Sequence, residues 1–539
     1  MRGSTRLRAA AAVVTTLSLV LTACGGGSGS GSSGEADPNG TFTVYGTEPQ
    51  NTLIPTNTNE LGGSKAVDPM FAELIGFKGD NAEPYNQVAD SITTSDSKVY
   101  DIKLKHGWKF HDGTEVKAKN FVDAWNYGAY SPNGQINSTF FENIQGYSDV
   151  HPDDENAKPA TDKMSGLVVK NDYEFQVTLT APFSVFGTKI GYTAFAPLPD
   201  AFFKDPKAFA QHPIGNGPMK FVSRTPNADI KLTRFDGYQG QDKVKFKDLD
   251  IKIYASQETA YQDLLSNKLD FIETLPPSAL AGNKYKADLK DNLVTGHLLG
   301  ISTIAIPYYV PGYDNLDLRK AISLAIDRQQ ITKTVMNDTY VPADGYVSQG
   351  IPGYRPGVCQ FCKFDPAQAK MFFQKSGFKG KLTIASNADG GRKEPLVAAC
   401  NSINKTLGVE CDFVPATDFG QWRSIVTGHK LTGMGRSDWS ADYPSIENFL
   451  NPLYRTGASS NDAVYSNPAV DAKLKEADGT ADKDAAVKLY QQAEDLVAQD
   501  LPSIPVWDEK GVAAKSKHAK TAGLDFRRRA DLSSVEVTK

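Results

Sequence analysis

Apolar residues in this chain recur with two different periods, and the two take turns along its length. Tyr100, Ile102 and Leu104 alternate with polar neighbours, as do Tyr173, Phe175, Val177 and Leu179. Successive side chains of a strand point to opposite faces, so each run predicts a half-buried strand. Leu249, Ile251 and Ile253 form another, followed by a helical stretch over 256–266 and a short strand near 269–271. A strand, a helix and a strand in such quick succession imply a parallel pair with a right-handed crossover. Farther on, Leu318, Ile322, Ala325 and Ile326 share one helical face, and Val487, Tyr490 and Val497 share another. Asp482 is placed to cap the second of these helices, and Pro502 follows its end. The fold class is therefore α/β with mixed sheets. No internal repeat is visible, and no low-complexity segment follows Gly34.

The N-terminus carries Arg2, Arg6 and Arg8 and then an uncharged stretch over 9–20. That stretch is too short to cross a hydrocarbon layer of roughly 30 Å, which needs about 20 apolar residues in a helix. Basic residues before a short apolar run make a secretory signal, assigned to residues 1–23. Its end, Leu21-Thr22-Ala23-Cys24, looks like the lipobox of bacterial lipoproteins, in which the cysteine is acylated and becomes the first residue. An ordinary cleavage site with a chance cysteine is the alternative. Residues 24–37 read as a tether, since 25–34 contain only Gly and Ser. Such a tract buries no apolar area to offset chain entropy, and ten residues of it span roughly 17 Å. The membrane is thus met through an N-terminal lipid only, on its outer face. One acyl chain anchors marginally, so retention needs the several chains that lipoprotein processing supplies.

Cleavage before Cys24 leaves 516 residues, enough for two or three domains. Losing the three arginines takes the formal charge from −5 to −8. A mildly acidic body argues against nucleic-acid binding, which needs a basic face. Four cysteines remain once Cys24 is lipidated, and outside the cytoplasm an even number suggests disulfides. Proximity favours Cys359–Cys362 and Cys400–Cys411, with a four-thiolate zinc site or a redox pair at Cys359 as alternatives. The seven histidines form no recognised metal spacing, and no G-x-S-x-G, Walker or G-x-G-x-x-G element is present. No metal, no cofactor and no catalytic residue is assigned, and the chain is not read as an enzyme.

Four segments carry a resemblance. Trp108-Lys109-Phe110-His111-Asp112-Gly113 leads through Val116 and Ala118 to Asn120-Phe121 and Trp125, similar to W-x-F-x-D-G-x-x-[VF]-x-A-x-D-F. Asp112-Gly113 is expected to make a turn, and Asn120 stands where Asp is usual, either residue being able to cap the helix that follows. Ile214-Gly215-Asn216-Gly217-Pro218-Met219 is similar to [IV]-G-T-G-P-[YF]. Leu318-Arg319 through Ala325-Ile326-Asp327-Arg328 is like V-R-x-A-[LI]-x-x-A-[IV]-D-R, with Asp327 and Arg328 expected to form an ion pair at a helix end. Asp438-Trp439-Ser440-Ala441-Asp442-Tyr443-Pro444 is similar to W-x-A-D-Y. A further stretch from Tyr261 to Asp270 matches Y-x-x-L-x-x-G-x-x-D, with Asn267 for Gly. In this order, over about 42–508, they resemble the extracellular solute-binding proteins that include the oligopeptide- and dipeptide-binding proteins of ABC importers.

The resemblance implies a two-lobed, periplasmic-binding-protein-like fold of type II with an extra inserted domain and an interlobe hinge. Domain I would comprise 38–80, 199–308 and 506–539, the inserted domain II 81–198, and domain III 309–505. It implies a monomer that captures a short peptide and passes it to the permease subunits of an importer. In peptide-binding members the aspartate of W-x-A-D pairs with the ligand's α-ammonium, and Asp442 occupies that position. Trp439 would wall the carboxylate, Ser440 would contact the ligand, and Arg436 would meet an α-carboxylate. An oligosaccharide or a metal chelate on the same scaffold, or a peptide-sensing signalling lipoprotein, are the competing readings.

Overall fold

Each period-two run forms a strand. Val99–Leu104 and Glu174–Thr178 pair antiparallel with Tyr100 opposite Val177 and Ile102 opposite Phe175. Flanked by Ala89–Thr93 and Leu167–Asn171, they make a four-stranded sheet. The helix Ala118–Ala129 lies on it, with the rings of Phe121 and Trp125 5.9 and 5.6 Å from that of Phe175. In this computed structural model the described residues are 34–154, 156–388, 392–417, 419–458 and 460–539. The signal segment, Cys24 and the tether up to Ser33 lie outside them. Residues 35–539 form one compact unit.

Asn120 does not cap the helix from outside, because the helix begins two residues earlier, at Ala118. From the third helical position its Oδ1 accepts from the Lys117 amide at 2.8 Å, and its Nδ2 donates to the Leu198 carbonyl at 3.0 Å. An aspartate has no donor for that second bond, which accounts for the amide here. Asp112 and Gly113 form the expected turn: Asp112 accepts from the Thr114 amide at 2.9 Å, and Gly113 has a φ of +86°.

Among the described residues the largest sheet has eleven strands. One half contains Thr41–Gly46, Asp248–Ile253, Phe271–Ile272 and the antiparallel pair Met219–Thr225 and Asp229–Arg234. The other half contains Leu382–Asn387, Cys411–Ala416 and Met434–Ser440. Two strands of 13 residues, Leu293–Ala305 and Ser503–Lys515, run antiparallel through the middle and join the halves. Their register shifts between His297 and Ile301 and again between Ser302 and Thr303, so the ladder is irregular where the first strand takes Met434–Ser440 as its second partner. Such irregularities bend a strand and loosen its pairing. The strand Asp248–Ile253, the helix Gln257–Leu265 and the strand Phe271–Ile272 form nearly as expected, yet the two strands are not neighbours. Thr41–Gly46 lies between them, parallel to both. A crossover that skips one position leaves a slot, and a distant segment fills it.

The second motif is a junction. Asn216, fully buried, accepts from the Ala72 amide and donates to the Ala72 carbonyl, each at 2.9 Å. Its own carbonyl accepts from the Trp108 indole at 3.0 Å, which ties the first motif to the second. A Cβ on Gly215 would sit 1.8 Å from the Met70 carbonyl oxygen, so only glycine fits. The Asp327–Arg328 ion pair does not form. Asp327 caps the helix Arg328–Thr334 through the Gln330 amide at 2.9 Å. Arg328 is buried and donates to the carbonyls of Pro505 (2.7 Å), Ser323 (2.8 Å) and Ile326 (3.2 Å) and to the Ser323 hydroxyl (2.9 Å). Burial lowers its pKa to about 9. Asp482 caps Lys483–Asp500 through the Ala485 amide. Disulfides join Cys359 to Cys362 and Cys400 to Cys411, the latter tying the helix Lys393–Leu407 to the following strand.

Candidate ligand-binding cleft

The strand Met434–Ser440 and the two residues after it carry all four residues singled out for a ligand. It pairs with the first long strand, Gly300 opposite Ser440, Ile301 opposite Trp439 and Ile304 opposite Arg436. Alternation along the strand puts Arg436, Asp438 and Ser440 on one side and Trp439 on the other. Trp439 packs against the apolar cluster that contains Leu299, Ile446 and Phe449. Its indole N–H donates to Asn448 Oδ1 at 3.3 Å. The same oxygen accepts from the Asp442 amide at 2.9 Å, and Asn448 Nδ2 donates to the Asp442 carboxylate at 3.0 Å. One buried asparagine thus holds both ends of the W-x-A-D segment.

Asp442 lines a cavity of about 330 Å³. Ser440 and Ala441 lie beside it, Leu61, Ser64, Tyr192 and Thr193 form another wall, and Glu60, Asp68, Arg392, Asp438, Glu509, Arg527, Arg528 and Arg529 supply the charges, with Glu60 accepting from the Gly62 and Gly63 amides at 2.7 and 2.8 Å. Trp439 and Arg436 are not in its lining. Arg436 donates to Asp438 at 2.7 Å from the base of a smaller, adjoining space.

The cations here already have partners. Arg392 contacts Asp438 at 3.0 Å and Glu509 at 3.7 Å. Glu509 also pairs with Arg528, and Gly300 admits it, since a Cβ there would stand 2.7 Å from its Oε2. Asp68 pairs with Arg529 and lies 3.6 Å from Arg527. Burial alone would raise the carboxyl of Asp438, but Arg392 and Arg436 outweigh it and hold its pKa below the ordinary value. Asp442 differs. Among the described residues no cation lies within ion-pairing distance of it. Burial pushes its pKa up to about 6, only partly offset by Asn448 and by the more distant charges of Arg527 and Lys189. A half-buried carboxylate without a counter-charge attracts a cation that brings its own donors.

The paired belt of Arg392, Glu509 and Arg528, and the support from Asn448, were not found in the sequence. The run Arg527-Arg528-Arg529 in an acidic body was the available signal. Among the described residues no group of three or more His, Cys, Asp or Glu is arranged to hold a metal ion, and no helix is long and apolar enough to cross a membrane.

Residues 83–461 match the family model of the bacterial extracellular solute-binding proteins, family 5 (middle region). The oligopeptide-binding protein OppA of Bacillus subtilis is 25% identical over 504 residues, 88% of this chain and 89% of that one. The murein tripeptide binding protein MppA of Escherichia coli superposes with a TM-score of 0.79 at 20% identity, covering 94% of this chain and 99% of MppA. OppA of Haemophilus influenzae, in complex with RPPGFSPFR, gives 0.76 at 21%, covering 94% of this chain and all of the other.

Proposed function

The chain belongs to the bacterial extracellular solute-binding proteins of family 5, and on that premise we propose that it is a lipid-anchored receptor that captures short peptides by their free amino terminus and delivers them to an ABC importer. It is a binding protein and not an enzyme. One observation carries the choice of ligand: Asp442 lacks a cation, while Asp438, Glu509 and Asp68 are neutralised by arginines and Glu60 is taken up by the backbone amides of Gly62 and Gly63. A free ammonium is common to nearly all peptides, so one fixed carboxylate recognises them whatever their side chains. At an effective dielectric near 20, opposite charges about 4 Å apart attract by roughly 4 kcal/mol, less the desolvation of both. The peptides named for OppA and MppA support this ligand class.

In this reading 38–80, 199–308 and 506–539 form one lobe with 81–198 inserted, and 309–505 form the lobe that closes on it. The two 13-residue strands supply the hinge. Ser440 lies beside the ligand. Trp439 acts through Asn448, and Arg436 reaches a ligand carboxylate only by releasing Asp438. The family supports delivery to a permease, and Cys24 supports a place on the outer face of the membrane. The body functions as a monomer.

Calorimetry on residues 35–539 tests the ligand. Tetra-alanine should bind, and N-acetylating it or making Asp442→Ala should weaken binding at least about tenfold, a loss of about 1.4 kcal/mol. Equal affinity for free and acetylated peptide would remove the role given to Asp442. Metabolic labelling with a palmitate analogue tests the anchor: label should be incorporated and be lost in Cys24→Ser.

A further inference from the structure

Resting on the reading of Asp442 as the ammonium site, we infer that this chain selects peptides carrying a bulky apolar side chain beyond the amino-terminal residue. The cavity at Asp442 is the smaller part of the cleft. Leu61, Arg392, Glu509 and Arg528 line both this cavity and a second chamber of about 610 Å³. A peptide held by its ammonium at Asp442 has this chamber as the continuation of its path. Both volumes lie in the range of small-ligand pockets.

The chamber's chemistry is unlike that of the ammonium site. Leu275, Leu280, Leu298, Met336, Tyr340 and Val512 supply apolar surface, Leu298 and Val512 from the long strands themselves. Its charged groups are largely spent on each other. Glu273 is paired with Lys65 in the interior, and Glu509 is held between Arg528 and Arg392. Glu394 and Lys510 are exposed. What the chamber offers a ligand is therefore area to be removed from water, not an unsatisfied charge. Apolar burial grows with each methylene removed from water, so a leucine in place of an alanine gains about tenfold or more in affinity. A lysine or glutamate there would lose hydration and meet only the exposed charges of Glu394 and Lys510, which return little of it.

The test is a calorimetric series on residues 35–539 at pH 7.5. It uses penta-alanine, its N-acetyl form, and single replacements of alanine by leucine, lysine or glutamate at positions two to five. Leucine at one or more of these positions should tighten binding at least about tenfold with a more negative heat-capacity change, and lysine or glutamate at the same position should weaken it. Leu280→Asp, at a half-buried position on the chamber wall, should abolish the leucine gain, so that the variant binds the leucine peptide no more tightly than penta-alanine. Indifference to the side chain, or a preference for lysine or glutamate, overturns the inference while a remaining dependence on the free amine keeps the Asp442 reading. A leucine gain that survives Leu280→Asp overturns the assignment to this chamber. Failure of every peptide to bind overturns both.

Discussion

Asp442 is costly to the empty protein. Its carboxyl has a pKa of about 6 against an ordinary 3.8, because burial disfavours the ion more than Asn448, Arg527 and Lys189 favour it. A carboxyl raised in the folded state is ionised first in the unfolded chain, so stability falls as pH rises from about 4 to about 6 and stays reduced above. Asp442→Asn is accordingly expected to raise the stability of the ligand-free body at pH 8 by up to about 3 kcal/mol, with no gain at pH 4. Urea unfolding at the two pH values measures it, and an equal effect at both would contradict the burial argument. Binding has the opposite sign. A peptide ammonium needs the ionised carboxylate, so affinity for a free-amine peptide should fall about tenfold between pH 7.5 and pH 5, and affinity for the acetylated form should not.

Elements are fixed to one another by a few buried backbone contacts. The turn at Gly215 and Asn216 seats against Met70 and Ala72 and receives the Trp108 indole. Gly215→Ala would press a methyl into the Met70 carbonyl and should destabilise the body by more than about 2 kcal/mol, read from the urea midpoint. Asn120→Asp, which restores the residue usual in the family's motif, removes the donor to the Leu198 carbonyl and sets a carboxylate against it. It should cost about 1–3 kcal/mol, and a neutral result would mean that the Leu198 bond contributes nothing. Farther along the chain Asn267 adopts a φ of +58°, the left-handed conformation that glycine supplies in the similar motif. Asparagine tolerates that conformation better than most residues, which makes the replacement intelligible.

At the scale of the whole molecule, the proposed closure turns on the two long strands that cross between the sheet halves. Their register breaks opposite Glu509, beside Gly300, where the first strand turns to its second partner. Closure about this place should make the ligand-bound body more compact. Small-angle scattering on residues 35–539 should record a smaller radius of gyration with saturating peptide, and an unchanged radius would argue against lobe closure. In Gly300→Val the added methyls meet the Glu509 carboxylate and disturb its pairing with Arg528, so the contraction should be reduced.

The sequence by itself determined what depends on near neighbours. The alternation at Tyr100–Leu104, the turn at Asp112-Gly113, the cap at Asp482 and the motif order that marks the family were all legible, because periodicity, turn chemistry and capping act within a few residues. It misplaced what depends on distant segments: the strand that separates Asp248–Ile253 from Phe271–Ile272, the bonding of Asn120 to Leu198, and the partners of Arg328. Only the tertiary structure decided which charges of the cleft cancel. Arg436, expected to meet a ligand's α-carboxylate, is bonded to Asp438, while Glu509 and Arg528, unremarked in the sequence, hold each other. Coulomb attraction and desolvation depend on distance through space and on burial, and residues far apart in the chain set both.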